Sequence, residues 1–423
     1  MDEKRITAIM MYWYPYVGAT QPIYKSIFNR LVEDGYKIDI IAGIPHYRKG
    51  RKELWRDYKG VFYKKSIEND MFVQRTFVLS PKFFDIFDRH GIVRRLVNYT
   101  SFFVSAFLTA IFSRQAKPKF FFVPTFPPIF AGLLAFCIST LKKRPFVYNV
   151  QDVHPDILYS IKLFRARPIS FVLEKSEKFV YSRAKHIIAI SDTIKNTLYK
   201  KGVPLEKISV IPNFCDTDII KPAQKDNAFS RQYDLIDKFI VMYAGNISQP
   251  QGIEFIIEAA KKLRDRKDIQ IVFVGRGEQK EGAKNLALQA NLKNVSFIPL
   301  QPVERMSDVW ASADVCLVSL RKNVSHLAFP SKIFGILSSG RPLIAMVDKD
   351  SEIWKFIEKS DSGLCVQSED SDGLADAILK MVRDTTLRNH MGKKGRNFVV
   401  KNFSKSLVGS KYKELFDQLC SGL

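Results

Sequence analysis

Six stretches of this 423-residue chain hold residue types whose spacing could do chemistry. The first is AFPSKIFGILSSGRPLIA, residues 328–345, in which Ser331 and Lys332 open an apolar, helically spaced run (Ile333, Phe334, Ile336, Leu337) that breaks at Gly340. The first N–H groups of a helix lack partners within it, and the helix dipole favours negative charge there, so a lysine at that end suits a phosphate. The same residues also fit a plain helix start, with Pro330 and Ser331 at the boundary and Lys332 exposed and solvated. YPYVGATQP (14–22), AGNISQPQG (244–252) and VGRGEQ (274–279) each place glycine after a strand-like run. Gly18, Gly245 with Asn246, and Gly275 would let backbone approach a phosphate closely, or would simply make turns. In VQDVHPD (150–156), Gln151, Asp152, His154 and Asp156 crowd the end of another strand pattern. Carboxylate and imidazole groups there can move a proton or hold a sugar hydroxyl. Packing of His154 and helix capping by Asp156 are the structural alternatives. The sixth stretch, SLRKNVSH (319–326), lies just before the first. No Gly-x-Gly-x-x-Gly occurs, which disfavours a dinucleotide. The five cysteines (137, 215, 316, 365, 420) are scattered, so neither a disulfide framework nor a zinc site is expected.

The elements that position these residues alternate. Strand patterns occur at 6–13, 37–43, 119–125, 145–150, 186–190 and 208–213, and again at 239–246, 269–275, 295–300, 314–320, 342–347 and 363–367. Helical patterns such as GIEFIIEAAKKLRDR (252–266) separate them. Near-continuous apolar strands alternating with helices indicate parallel sheets covered on both faces. Two such sets predict an α/β chain of two doubly wound, Rossmann-like domains. The polar stretch 221–238 reads as the linker between them. Ligands of such sheets bind beyond the carboxyl ends of the strands, so the expected site faces a cleft between the domains.

The formal net charge of +23 is uneven: residues 1–215 hold 35 Lys and Arg against 17 Asp and Glu, the remainder 31 against 26. A basic first half attracts nucleic acid, anionic lipid or a phosphorylated substrate, or serves only as a solvated surface. No nucleic-acid recognition motif accompanies the charge, and nucleic acid is not expected. The run 96–113 has no charged residue but contains Asn98 and several Ser and Thr, and is read as non-spanning. The Phe-rich, basic stretch 80–96 before it suits a helix in a bilayer interface or one packed on the sheet. The chain runs from MDEKRITAIMMYWYP directly into a strand pattern, and a cytoplasmic location is expected.

In order and spacing, VIPNFCDTDIIKP, VMYAGNISQPQGIEFIIEAAKKL, IVFVGRGEQKEGAKNLA, VSFIPLQPVERMSDVWASADVCLVSL and AFPSKIFGILSSGRPLIA resemble the nucleotide-sugar-binding domain of family 4 glycosyltransferases. The Gly-Asn turn, Gln-Asp-x-x-Pro loop and Pro-Ser-Lys step are similar to those of O-antigen, capsule and colanic-acid enzymes. The resemblance implies the GT-B architecture: an acceptor-binding domain over 1–214, a donor-binding domain over 215–400, and a C-terminal helix, 401–423, packing back on the first. It implies a retaining transfer from a nucleotide-sugar, a UDP-sugar by preference, to a lipid-linked or growing saccharide. No metal or other cofactor is implied, and the setting is the inner face of the cytoplasmic membrane, peripherally bound to its anionic surface.

The residues expected to act are Asp152 and Lys332 in catalysis; Gly18, Asn213, Gly245, Asn246, Gly275, Ser331 and Lys332 on the donor; and Gln151 and His154 on the acceptor. Two departures stand out. Relatives carry Arg and Lys where Asn246 and Gln251 stand, and a Glu pair where Leu327 and Gly335 stand. These losses keep a non-catalytic GT-B scaffold open as an alternative, beside a sugar-nucleotide epimerase.

Overall fold

The structure is a computed structural model, and it describes residues 4–15, 20–45, 58, 61–79, 92–153, 156 and 167–422. Described residues up to 153, those of 167–211 and those of 409–422 form one compact unit, and those of 212–408 form another.

The first unit is built on an eight-stranded sheet in the order β3-β4-β2-β1-β5-β6-β7-β8. Its strands are β1 (Arg5–Met10), β2 (Lys37–Gly43), β3 (Tyr63–Glu68), β4 (Met71–Thr76), β5 (Phe120–Pro124), β6 (Phe146–Val150), β7 (His186–Ala189) and β8 (Ile208–Val210). Every neighbouring pair is parallel except β3 with β4. That hairpin turns on Asn69 and Asp70, both at positive φ (48° and 59°), the backbone that a two-residue turn between twisted strands requires. The sequence reading missed it, because four of the six residues of YKKSIE are strongly polar and the strand serves as a charged sheet edge rather than a core strand. The helices are α1 (Gln21–Glu33), α2 (Ile92–Phe112), α3 (Phe130–Lys142), α4 (Arg167–Arg183) and α5 (Asp192–Lys200).

The second unit has a six-stranded, all-parallel sheet in the order β11-β10-β9-β12-β13-β14. These are β9 (Phe239–Asn246), β10 (Ile269–Arg276), β11 (Val295–Ile298), β12 (Val315–Ser319), β13 (Leu343–Val347) and β14 (Gly363–Gln367). Around them lie α6 (Ala228–Gln232), α7 (Ile253–Lys262), α8 (Lys280–Gln289), α9 (Met306–Ala311), α10 (Lys332–Ser338), α11 (Glu352–Ser360), α12 (Ser371–Arg383) and α13 (Thr385–Asn402). Two buried clusters of aliphatic and aromatic side chains cover the sheet's two faces. The stretch 221–238 is not a free linker. Asn227 and Ser230 form reciprocal caps on α6, and Phe229 and Leu235 are buried in the second core. Two apolar anchors hold a segment whose average composition is polar.

A last helix, α14 (Lys405–Ser421), enters the first unit from residue 409 onward. Phe416 meets the Phe120 ring edge-on at 5.0 Å, and Tyr412 is buried within hydrogen-bonding reach of Asn149.

Candidate functional site

In the second sheet the chain moves outward from β9 through β10 to β11, then crosses to β12 and continues the other way. The carboxyl ends of β9 and β12 therefore flank a topological switch point, where an open parallel sheet leaves a crevice. Lys332, the first residue of α10, lies at this point. Its ammonium stands 3.7 Å from the centre of the Tyr243 ring of β9, and a Cβ on Gly245 would lie 3.5 Å from it. The Lys332 stem is partly accessible, but the ammonium nitrogen is buried and has no hydrogen-bond partner among the described residues. Burial pulls it down to about 7, and the Cys316 thiol of β12 pushes weakly in the other direction. The expectation of an exposed lysine is corrected here. An uncompensated buried ammonium is costly, and such a group persists where something else requires it.

Neighbouring strand ends give this pocket a glycine rim. Gly275 pairs with Gly245 across β10 and β9, at φ 155°, and a Cβ on it would stand 1.9 Å from the Gly245 carbonyl oxygen. No larger residue fits without separating the strands. Asn246 is exposed, and its amide donates to Ser248 Oγ at 3.0 Å; Ser248 in turn donates to the Gln251 side chain. Asn246 and Gln251, both neutral, thus tie the loop to itself. Ser331 has helical backbone angles and its side chain caps nothing in α10. Asn213 is buried.

The 249–251 turn is clamped from β12 by residues whose part in the site was not foreseen. Ser319 donates to the Gln251 carbonyl at 2.6 Å, and Arg321 donates through its side chain to the Gln249 carbonyl and through its backbone to that of Pro250, both at 2.8 Å. Arg321 is itself paired with Glu254. From β9, the buried Tyr243 hydroxyl donates to the Asn246 carbonyl at 2.6 Å, and burial raises it well above an ordinary phenol. Arg321 stands in a stretch the sequence singled out, SLRKNVSH; Tyr243, inside an apolar strand, gave no signal.

The missing second glutamate has a structural counterpart. A Cβ on Gly335 would stand 2.3 Å from the Trp310 ring of α9. The indole fills the space that a side chain at this position would need.

In the first unit, Gln151 follows β6 with its amide turned inward. It donates to Asn149 Oδ1 at 2.6 Å and to Tyr24 at 2.9 Å, and its backbone N–H donates to Thr125 Oγ1 at 3.0 Å. Asn149, Tyr24 and Tyr412 are each buried, so the amide braces the carboxyl end of β6. Asp152, next along, is half-buried. Gly18 and His154 lie outside the described residues. Among the described residues no cluster of His, Cys, Asp and Glu could hold a metal ion.

The family models decide the larger question. That for "Glycosyltransferase Family 4" matches residues 25–219 and that for "Glycosyl transferases group 1" matches 226–398, together most of the chain. The chain belongs to glycosyltransferase family 4. This glycosyltransferase is 26% identical, over 85% of its length and 88% of the relative's, to the colanic acid biosynthesis glycosyl transferase WcaI of Escherichia coli. Its fold resembles sucrose-phosphate synthase from Thermosynechococcus elongatus at a TM-score of 0.76, with 16% identity over all of both chains. It also resembles the Anabaena protein HepE in complex with UDP-glucose, at 0.73 and 14% identity over 98% of this chain and 99% of that one. The two doubly wound sheets are those of the GT-B architecture.

Proposed function

We propose that the enzyme transfers a sugar from a nucleotide-sugar, a UDP-sugar by preference, to a lipid-linked or growing saccharide in the assembly of bacterial surface polysaccharide. Family membership supports glycosyl transfer. The relative named for colanic acid biosynthesis and the structural neighbour holding UDP-glucose support the pathway and the donor class. The observation that carries the reading is the buried ammonium of Lys332 at the switch point of the second sheet, held against the Tyr243 ring with no hydrogen-bond partner among the described residues. A donor diphosphate supplies the charge this group lacks. Lys332 and the backbone N–H groups of the glycine rim stabilise the leaving diphosphate, and the configuration of the transferred sugar is retained. Residues 215–400 are the donor-binding part and 1–214 the acceptor-binding part. Asp152 contacts the transferred sugar or the incoming hydroxyl. The reaction takes place at the inner face of the cytoplasmic membrane.

A second reading has one observation behind it. The Trp310 ring fills the space that a side chain at Gly335 would need, and a scaffold that has lost catalysis would lack the ribose-orienting glutamate that the family resemblance implies there. Incubation with a panel of UDP- and GDP-sugars separates the two. Slow release of free sugar with retained configuration is expected from the transferase. Neither turnover nor binding for any donor defeats the reading in favour of the scaffold, and recovery of an epimerised donor defeats it in favour of the epimerase.

A further inference from the structure

Helix α2 buries several polar side chains and exposes an apolar stripe. Its inward face holds Asn98, Ser101 and Ser105 beside Phe102, Ala106 and Ala110, all buried. Ser105 donates to the Phe77 carbonyl at 2.7 Å, Ser101 accepts the Leu79 N–H at 2.9 Å, and Ser113, just past the helix, donates to Gln74 at 3.0 Å. These bonds satisfy β4 and the segment that follows it. The outward face carries Val93, Leu96, Val104, Leu108 and Phe112, the last 77% exposed. A surface helix ordinarily buries its apolar stripe and exposes its polar one.

α2 packs on α3 and α3 on α4, and these helices carry the further exposed apolar residues Leu141, Phe171 and Val172. Isolated exposed apolar residues are ordinary, but five along one side of a single helix mark an interaction surface. Charge narrows the partner. Residues 92–151 contain eight Lys or Arg and no Asp or Glu. Arg95 near one end of α2, Arg114 and Lys117 beyond the other, and Lys143 after α3 are exposed. On α4 the exposed acid Glu174 stands beside Lys175 and Lys178.

We infer that the face formed by α2, α3 and α4 docks on the surface of an anionic lipid bilayer, with α2 lying in the interface plane. The exposed apolar side chains enter the acyl boundary, and cations at both ends of the helix meet the headgroups, the arrangement of an interfacial helix. By length and composition α2 is the helix among the described residues that could cross a membrane. Its hydrogen-bonded inner face, packed on β2, β4 and α3, holds it sideways against the first unit instead. A second copy of the chain is a poor occupant, because a two-fold contact would set two cationic faces against each other.

This rests on the proposed membrane setting and places it on named residues. Full-length protein is sedimented with vesicles of phosphatidylcholine and with vesicles of phosphatidylcholine mixed with phosphatidylglycerol. Preferential pelleting with the mixed vesicles at low salt, and release at high salt, are expected. The double variant Leu108→Gln, Phe112→Gln should bind mixed vesicles about tenfold or more weakly, and Arg95→Glu with Arg114→Glu should do the same while flattening the salt dependence. Equal binding by wild type and variants overturns the inference. So does retention of the wild type through alkaline carbonate, which would mean a spanning helix. Absence of vesicle binding, with a wild-type dimer that the Leu108→Gln, Phe112→Gln protein fails to form, overturns it in favour of a second copy. Donor turnover is followed separately in solution: its absence with vesicle binding intact defeats the transferase reading and leaves this one standing.

Discussion

Donor binding is expected to draw a proton from solvent. In the free protein burial holds the Lys332 ammonium at about 7 instead of 10.5. That difference corresponds to roughly 5 kcal/mol against the charged form. The groups facing the ammonium from β9 and β12 are neutral at physiological pH: burial raises Tyr243 far above its ordinary value and pushes Cys316 up to about 12. Lys332 is then the group that titrates. A UDP-sugar brings two diphosphate charges across the whole range, and charge beside an ammonium restores its proton. With half-protonation near pH 7 beforehand, uptake vanishes in acid and grows toward one proton as pH rises through 7. The affinity follows the same sign: Kd is flat in acid and rises about tenfold per pH unit above 7. Calorimetric titration of a UDP-sugar in buffers of different ionisation enthalpy reads the proton count directly. No uptake at pH 8, with a Kd constant from pH 6 to 9, refutes the reasoning even if the sugar is turned over.

The same lysine makes an unusual stability prediction. A lowered folded value means that wild-type stability is greatest above the unfolded value, near 10.4, and is lost as pH falls toward 7. Lys332→Met should therefore melt higher than wild type at pH 6–7, by on the order of 1–3 kcal/mol, with the gap closing as pH rises, while turnover falls about 10²–10³-fold. A lower melting temperature at pH 6 contradicts the buried unpaired charge. Restoring the relatives' carboxylate by Gly335→Glu should give no gain in turnover and cost about 1–3 kcal/mol or more in denaturant unfolding, because Trp310 must move; a faster enzyme would show the ring to be displaceable. Asp152→Asn should abolish transfer and leave donor binding unchanged, whereas a fall in melting temperature with transfer intact would make Asp152 structural.

The strands of both sheets were legible because buried parallel strands are continuous apolar runs, such as FIVMYAGN and KIDIIAG. The β3–β4 hairpin was not, since its edge strand needs no apolar face. The anchoring of 221–238 was also hidden: Phe229 and Leu235 are two residues in eighteen, and the Asn227–Ser230 caps carry no periodicity. At the site, glycine positions and the Pro-Ser-Lys step could be found from types and order. What could not be found was the state of Lys332, which depends on Tyr243 and Cys316 arriving from two other strands. The inward turn of Gln151 likewise depends on Tyr24, Asn149 and Tyr412, which lie far apart in the chain. The polarity of α2 was present in the sequence as two faces, but only packing decides which one is covered.

The most direct test of the account is an experimental structure of the protein with a bound UDP-sugar. It should place diphosphate oxygens within about 3 Å of Lys332 Nζ and beside the Gly245 backbone, giving the ammonium its missing partner. A UDP-sugar bound with its diphosphate elsewhere, and Lys332 still unpaired against Tyr243, would contradict the assignment of this site.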